Sequence, residues 1–253
     1  MALFFRKDKH KSEQWNNKTM FGPNMSFAAT EAYKLLRTNL AFSFADEGRG
    51  HVIGVTSAVQ EEGKSSSACN TAYVLAESGA KVLLLDGDLR KPTIASKLGV
   101  ARTPGLTNLL VSSWDYREVV QHCAAAPKLD IISSGDIPPN PSELLSSDRM
   151  AQVIGELTKV YDYIIVDLPP VTVVSDAIAV SRVLDGIVMV VRGGISDRKM
   201  LAEAMRQLEL VNVRILGFVY RDSAGNSGKY GGKYYKKYRY KYYSDYAKRK
   251  ASK

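Results

Sequence analysis

Two strand-length runs that end in aspartate constrain this chain more than any other feature. Val82-Leu-Leu-Leu-Asp86 and Tyr163-Ile-Ile-Val-Asp167 show no alternation of apolar and polar residues before the acid. A strand with one face in water would alternate with period two, so strands of this kind are covered on both faces. Runs of the same character occupy residues 51–57, 81–86, 129–133, 163–167, 186–192 and 215–220. Helical patterns lie between them at 65–78, 150–158, 176–183 and 198–210, with a shorter helical piece around 105–111. This alternation predicts an α/β fold, a mostly parallel twisted sheet with helices on both faces. An amphipathic helix over 30–44 precedes the first strand. The expected division is a loose N-terminal segment, 1–29, one domain over 30–222, and a flexible tail, 223–253, opened by Ser-Ala-Gly-Asn-Ser-Gly.

The net charge of +9 belongs to that tail. From Lys229 onward there are ten Lys and Arg against one Asp, so residues 1–228 balance at 25 basic and 25 acidic. A neutral body lacks the basic face of a nucleic-acid-binding domain. Eight of the fourteen tyrosines also lie in the tail, namely Tyr230, Tyr234, Tyr235, Tyr238, Tyr240, Tyr242, Tyr243 and Tyr246. Two cysteines and three scattered histidines give neither metal-ligand spacing nor a disulfide framework, so both thiols are expected to be reduced. There is no run of about 18 apolar residues and no signal-peptide pattern, which predicts a cytoplasmic chain.

Ala58-Val-Gln-Glu-Glu-Gly-Lys-Ser65 follows the first strand and opens a helix. It departs from the phosphate-loop pattern G-x-x-x-x-G-K-[ST] only at Ala58. Main-chain N–H groups at such a helix start face an anion, the lysine reaches the outer phosphates and the hydroxyl binds Mg²⁺. Glu62, Gly63, Lys64, Ser65 and Ser66 are therefore the expected ATP-binding residues. Asp86, Asp88 and Asp167 sit at the carboxyl ends of two strands, the edge where open α/β sheets bind ligands. One such aspartate alone reads as a turn residue or a helix cap; three beside a Gly-Lys-Ser loop read as a Mg²⁺-phosphate site.

These residues resemble the bacterial tyrosine kinases of capsule and exopolysaccharide synthesis, a branch of the P-loop NTPases near the partition and division-site ATPases. The resemblance covers residues 30–246. It rests on the phosphate loop, Asp86-Gly-Asp88-Leu-Arg90, Asp167-Leu-Pro-Pro, Ile137-Pro-Pro-Asn-Pro-Ser-Glu-Leu-Leu145 and the tyrosine cluster. It implies an ATP- and Mg²⁺-dependent protein-tyrosine kinase that phosphorylates its own tail between subunits and thereby regulates polysaccharide polymerisation and export. Lys64, Asp86 and Asp88 would be catalytic, with Asp86 the candidate for accepting the tyrosine proton. Ser65, Asp88 and Asp167 would hold the metal; how the three carboxylates share these roles stays open. The eight tail tyrosines would be the phosphoacceptors, placed on flexible chain because an acceptor has to enter and leave the site.

In the Gram-positive form of the family, the kinase is a separate cytoplasmic chain recruited to the inner face of the membrane by a transmembrane adaptor that activates it. The implied partners are that adaptor, further copies in a ring with an octamer as the candidate size, and a cognate protein-tyrosine phosphatase, with no nucleic acid. Glu31, Lys34 and Arg37 lie three residues apart on one side of a helix. The family has Glu-x-x-Arg-x-x-Arg there, at a ring interface, and Lys34 replaces the first arginine. Val59 stands where partition ATPases carry a signature lysine. Glu61 stands where the kinases often have Gly, which sets Glu61 and Glu62 near a polyphosphate and is tolerable with both side chains turned to solvent. The competing readings are a partition or division-site ATPase and a nucleotide-gated module that grips nucleic acid with its basic tail.

Overall fold

The structure, a computed structural model, describes residues 21–44, 48–112 and 114–221. The chain divides into two units, Met1–Arg221 and Asp222–Lys253. The second unit holds all eight tail tyrosines and lies outside the described residues.

Seven strands form one sheet: β1 (His51–Ser57), β2 (Val82–Asp86), β3 (Gln121–His122), β4 (Leu129–Ile132), β5 (Tyr163–Asp167), β6 (Gly186–Arg192) and β7 (Ile215–Arg221). Their order is β3-β4-β2-β5-β1-β6-β7. All neighbours pair in parallel except β3, which is antiparallel to β4. The helices are α1 (Phe27–Ser43), α2 (Lys64–Glu77), α3 (Ile94–Leu98), α4 (Leu106–Val111), α5 (Pro141–Ser146), α6 (Asp148–Leu157), α7 (Asp176–Ala179) and α8 (Arg198–Leu210). Among the described residues no helix is long and apolar enough to cross a membrane.

The absence of alternation in β2 has the expected cause. Leu83 and Leu85 enter one core with Leu109 of α4, Val153 and Leu157 of α6 and Leu208 of α8. Val82 and Leu84 enter the opposite core with Leu40 of α1, Ala68 and Leu75 of α2 and Ile94 of α3. All four strand residues are fully buried; each contributes about 1.5–3 kcal/mol relative to exposure. A polar residue at any of them would have no water on either face.

The structure corrects several boundaries. Residues 21–29, expected to belong to a loose segment, are built onto the body. The Phe21 ring meets Tyr73 of α2 edge-on with centroids 5.7 Å apart, and Gly22 N donates to Asn70 Oδ1 at 3.2 Å. Helix α1 begins at Phe27 because the Ser26 hydroxyl caps it, accepting from Ala29 N. The helix expected over 176–183 breaks into the short α7 and a 3-10 turn, Ser181–Val183. Strand β3 and helix α3 were not expected. Two and five residues are too short for a periodicity to show.

The order places β1 between β5 and β6, with the chain running out through β2 and β4 before returning. The loops after β1, β2 and β5 therefore sit side by side at one carboxyl edge.

Candidate active site

The phosphate loop is shaped by contacts that its sequence does not advertise. Glu62 is buried, and its carboxylate accepts from Val59 N at 2.8 Å and from the Ser196 hydroxyl beyond β6. Ser196 Oγ in turn accepts from Arg192 N at 2.7 Å. The Glu61 carbonyl accepts from Arg192 Nη1 at 2.9 Å, and Glu61 itself takes φ 64° with its side chain exposed. The condition that both side chains turn to solvent is met by Glu61 only. Glu62 turns inward because the loop has a main-chain donor there to satisfy, so its side chain is taken within the loop. Ala58 is tolerated in place of Gly: it packs into the core, and its carbonyl accepts from Thr172 Oγ1 at 2.7 Å.

Gly63, at φ 90°, precedes α2, whose first backbone bond runs from Ser67 N to Gly63 O at 3.0 Å. The N–H groups of Gly63, Lys64, Ser65 and Ser66 are left without helical partners and form an anion-binding turn. Lys64 Nζ lies 2.7 Å from Asp88 Oδ2, 3.8 Å from Asp167 Oδ1 and 3.4 Å from Ser65 Oγ. The structure thus brings Lys64, Ser65, Asp88 and Asp167 together as the sequence requires. Burial alone would lower the Lys64 ammonium, but Asp167 and Asp88 outweigh it and raise its pKa.

Asp86 and Asp167 are register partners on β2 and β5. Gly87 permits this approach, since a Cβ there would sit 3.0 Å from the Asp167 carbonyl oxygen. Burial pushes the Asp86 carboxyl well above its ordinary range, and Asp167 adds to the effect. Burial also raises Asp167, against the pull of the Lys64 ammonium. Asp86 Oδ2 accepts from Ile94 N at 3.1 Å and Asp88 Oδ1 from Lys91 N at 3.0 Å. Ser65 lies close enough to Asp167 to favour its charged form, yet Asp86 Oδ1 and both Asp167 oxygens are buried without a hydrogen bond of sound geometry. Among the described residues no three acidic, His or Cys side chains form a metal cage. Mg²⁺ needs none: it takes one or two carboxylates and completes its shell with phosphate oxygens and water, and these orphaned oxygens fit that demand.

Beside the carboxylates lies a network that sequence reasoning missed. Asp176, fully buried at the start of α7, accepts from Arg90 Nε at 2.8 Å, from Arg90 Nη2 at 3.0 Å and from Ser142 Oγ at 2.5 Å. It ties the loop bearing Asp88 to α5 and α7. Arg90 and Ser142 both lie in quoted motifs, but nothing in the sequence pairs them with Asp176.

The row on α1 is partly engaged within the chain. Lys34 Nζ pairs with Glu31 at 3.2 Å, and Arg37 Nη1 donates to the Val74 carbonyl of α2 at 2.9 Å. Tyr33, between them, places its hydroxyl 3.2 Å from Ser67 Oγ, so α1 rests on the helix that opens the phosphate site.

A parallel sheet with a phosphate loop after its first strand and carboxylates on the neighbouring strand ends defines a P-loop nucleotide-binding protein. A family model described as an AAA domain matches residues 51–194. The tyrosine-protein kinase YwqD of Bacillus subtilis is 38% identical over 219 residues, 87% of this chain and 90% of that protein. The solved kinase domain of the Escherichia coli tyrosine kinase ETK is 34% identical, covers 80% of each chain and superposes with a TM-score of 0.74. The chimerical protein CapA2B2 is 32% identical, with a TM-score of 0.71 over 76% of this chain and 83% of its own. The chain belongs to the family of bacterial tyrosine-protein kinases, and it is an enzyme of the protein-tyrosine kinase class.

Proposed function

We propose that this kinase transfers the γ-phosphoryl group of ATP, with Mg²⁺, to tyrosines of its own C-terminal cluster on neighbouring subunits. By that means it would regulate the polymerisation and export of a capsular or exopolysaccharide. The observation that carries the reading is the Lys64 ammonium held 2.7 Å from Asp88 and 3.8 Å from Asp167 at the mouth of an anion-binding turn. When bound, Mg-ATP supplies the phosphoryl group and the metal charge. Lys64 leaves its carboxylate partners to neutralise phosphate oxygens, and the amides of Gly63 to Ser66 orient them. Ser65, Asp88 and Asp167 would hold the metal. Asp86, with Oδ1 unpartnered, would take the proton as the tyrosine oxygen bonds to the γ-phosphorus and the bond from that phosphorus to the departing ADP oxygen breaks.

Assembly and recruitment belong to the same reading. Glu31, Lys34 and Arg37 form a ring interface on α1, and the Tyr33 contact carries assembly to the phosphate-binding helix. The intracellular end of a transmembrane adaptor holds the ring at the membrane and activates it, and a tyrosine phosphatase reverses the modification. Nucleic acid is not a partner.

The test is mass spectrometry after incubation with Mg-ATP and the adaptor. Phosphotyrosine is expected within residues 230–246, lost in folded Lys64→Met, and lost again when the eight tail tyrosines become Phe while nucleotide binding persists. Phosphate only outside that segment would sink the acceptor assignment, and substantial phosphorylation by folded Lys64→Met would sink the site.

A further inference from the structure

Strands β6 and β7 end side by side, and the final residue of each is an arginine. Arg192 and Arg221 are register partners, and Gly193 N donates to the Arg221 carbonyl at 2.9 Å. Neighbouring parallel strands lie about 4.8 Å apart, so two cations are launched from adjacent backbones. Both turn toward the phosphate loop. Arg192 Nη1 bonds the Glu61 carbonyl at 2.9 Å. The Arg221 guanidinium fills the space that a side chain on Gly63 would occupy. Among the described residues neither arginine forms an ion pair with a carboxylate. The nearest buried acid of the loop, Glu62, is already taken by Val59 N and Ser196.

Among the described residues this arginine pair has no acid beside it, and an anion joining it would offset the repulsion of the two like charges. A guanidinium also has more donors than a single loop carbonyl can satisfy. The anion that this loop takes is polyphosphate, and the Gly63 amide, one of the free N–H groups of the turn, lies beside the Arg221 guanidinium. We propose that Arg221 is a further nucleotide-binding residue, giving charged hydrogen bonds to the phosphates from the side of the loop opposite Asp88, and that Arg192 positions the loop through the Glu61 carbonyl. Gly63 therefore serves two needs. Its φ of 90° favours a residue without Cβ, and its missing side chain leaves room for the Arg221 cation. Arg221 is planar, permanently charged and weakly hydrated, so lysine is a poor substitute.

The inference rests on the nucleotide reading of the loop, and one titration separates the two. Mg-ADP is titrated calorimetrically into the wild-type chain, Arg221→Gln, Arg221→Lys and Arg192→Gln. Each variant is first shown to melt within about 4 °C of wild type without nucleotide, the shift of roughly 1 kcal/mol in a domain of this size. Glutamine keeps most of the bulk over Gly63 and removes the charge. Arg221→Gln should weaken Mg-ADP about tenfold or more, as expected for losing a charged hydrogen bond; Arg221→Lys should recover part of the loss. Arg192→Gln should weaken binding less, because its effect passes through the loop. Wild-type binding with Arg221→Gln within about twofold of it, or tighter, overturns the proposal and leaves the nucleotide reading standing. Tighter binding would make Arg221 a plug that nucleotide displaces. No binding by the wild type overturns both.

Discussion

The Arg90–Asp176 pair permits a stability prediction in which the two partners are unequal. Asp176 is fully buried, whereas the Arg90 side chain is 41% exposed. Arg90→Ala leaves a carboxylate out of water with, among the described residues, only the Ser142 hydroxyl, 2.5 Å away, to stabilise it. Breaking a buried pair from one side costs about 3–5 kcal/mol. The exposure of Arg90 admits solvent screening and brings the expectation down to about 2–3 kcal/mol. Asp176→Asn removes the buried charge itself, keeps an acceptor of the same shape, and releases Arg90 to water; about 1–2 kcal/mol is expected for the weakened hydrogen bonds. The double variant should cost little more than Asp176→Asn alone, because the burden of the unpaired acid is gone, and the resulting coupling is nearly the whole Arg90→Ala cost, roughly 2–3 kcal/mol. In a domain of this size about 1 kcal/mol moves the melting temperature by 2–4 °C. Arg90→Ala should therefore melt about 4–12 °C low, measured by thermal and urea unfolding without nucleotide. The reasoning is refuted if Asp176→Asn costs as much as Arg90→Ala, or if the two losses add.

The remaining expectations concern the loop, the carboxylates and α1. Asp86→Asn should stabilise the ligand-free protein while abolishing phosphorylation. A carboxyl raised on folding contributes stability below its unfolded value of about 4 that is lost as pH rises through the folded value. The variant's advantage in melting temperature should therefore grow as pH is raised, and a flat difference would show that burial does not raise Asp86. Glu61→Gly should stabilise by up to about 1 kcal/mol, since φ 64° is a left-handed conformation that costs a residue with Cβ about that much; unfolding in denaturant measures it, and a loss of stability would mean that the glutamate side chain holds the loop. Replacing Glu31, Lys34 and Arg37 with Ala should shift the particle toward monomer in light scattering, and an unchanged mass in an oligomeric protein would remove the ring from this face.

What the sequence made legible and what it hid divide along one physical line. Residues 58–65, 86–88 and 167 could be read because each is a short local pattern whose residue types have few other uses at a strand end. Asp86 and Asp167 there carry three buried oxygens without a hydrogen bond of sound geometry. The contacts that shape and brace the site join residues far apart in the chain: Glu62 to Ser196 across 134 positions, Arg192 to the Glu61 carbonyl across 131, Arg90 to Asp176 across 86. Each arises because the sheet places non-consecutive strands together, β6 beside β1 and β5 beside β2, and no local pattern encodes that adjacency. The glutamate pair shows the consequence. Read locally, Glu61 and Glu62 are two like charges facing a polyphosphate. Once β6 lies beside β1, Ser196 receives one carboxylate, and the Arg192 contact with the Glu61 carbonyl leaves the other in solvent. The two glutamates part ways because the loop's second wall comes from a strand that follows it by more than a hundred residues.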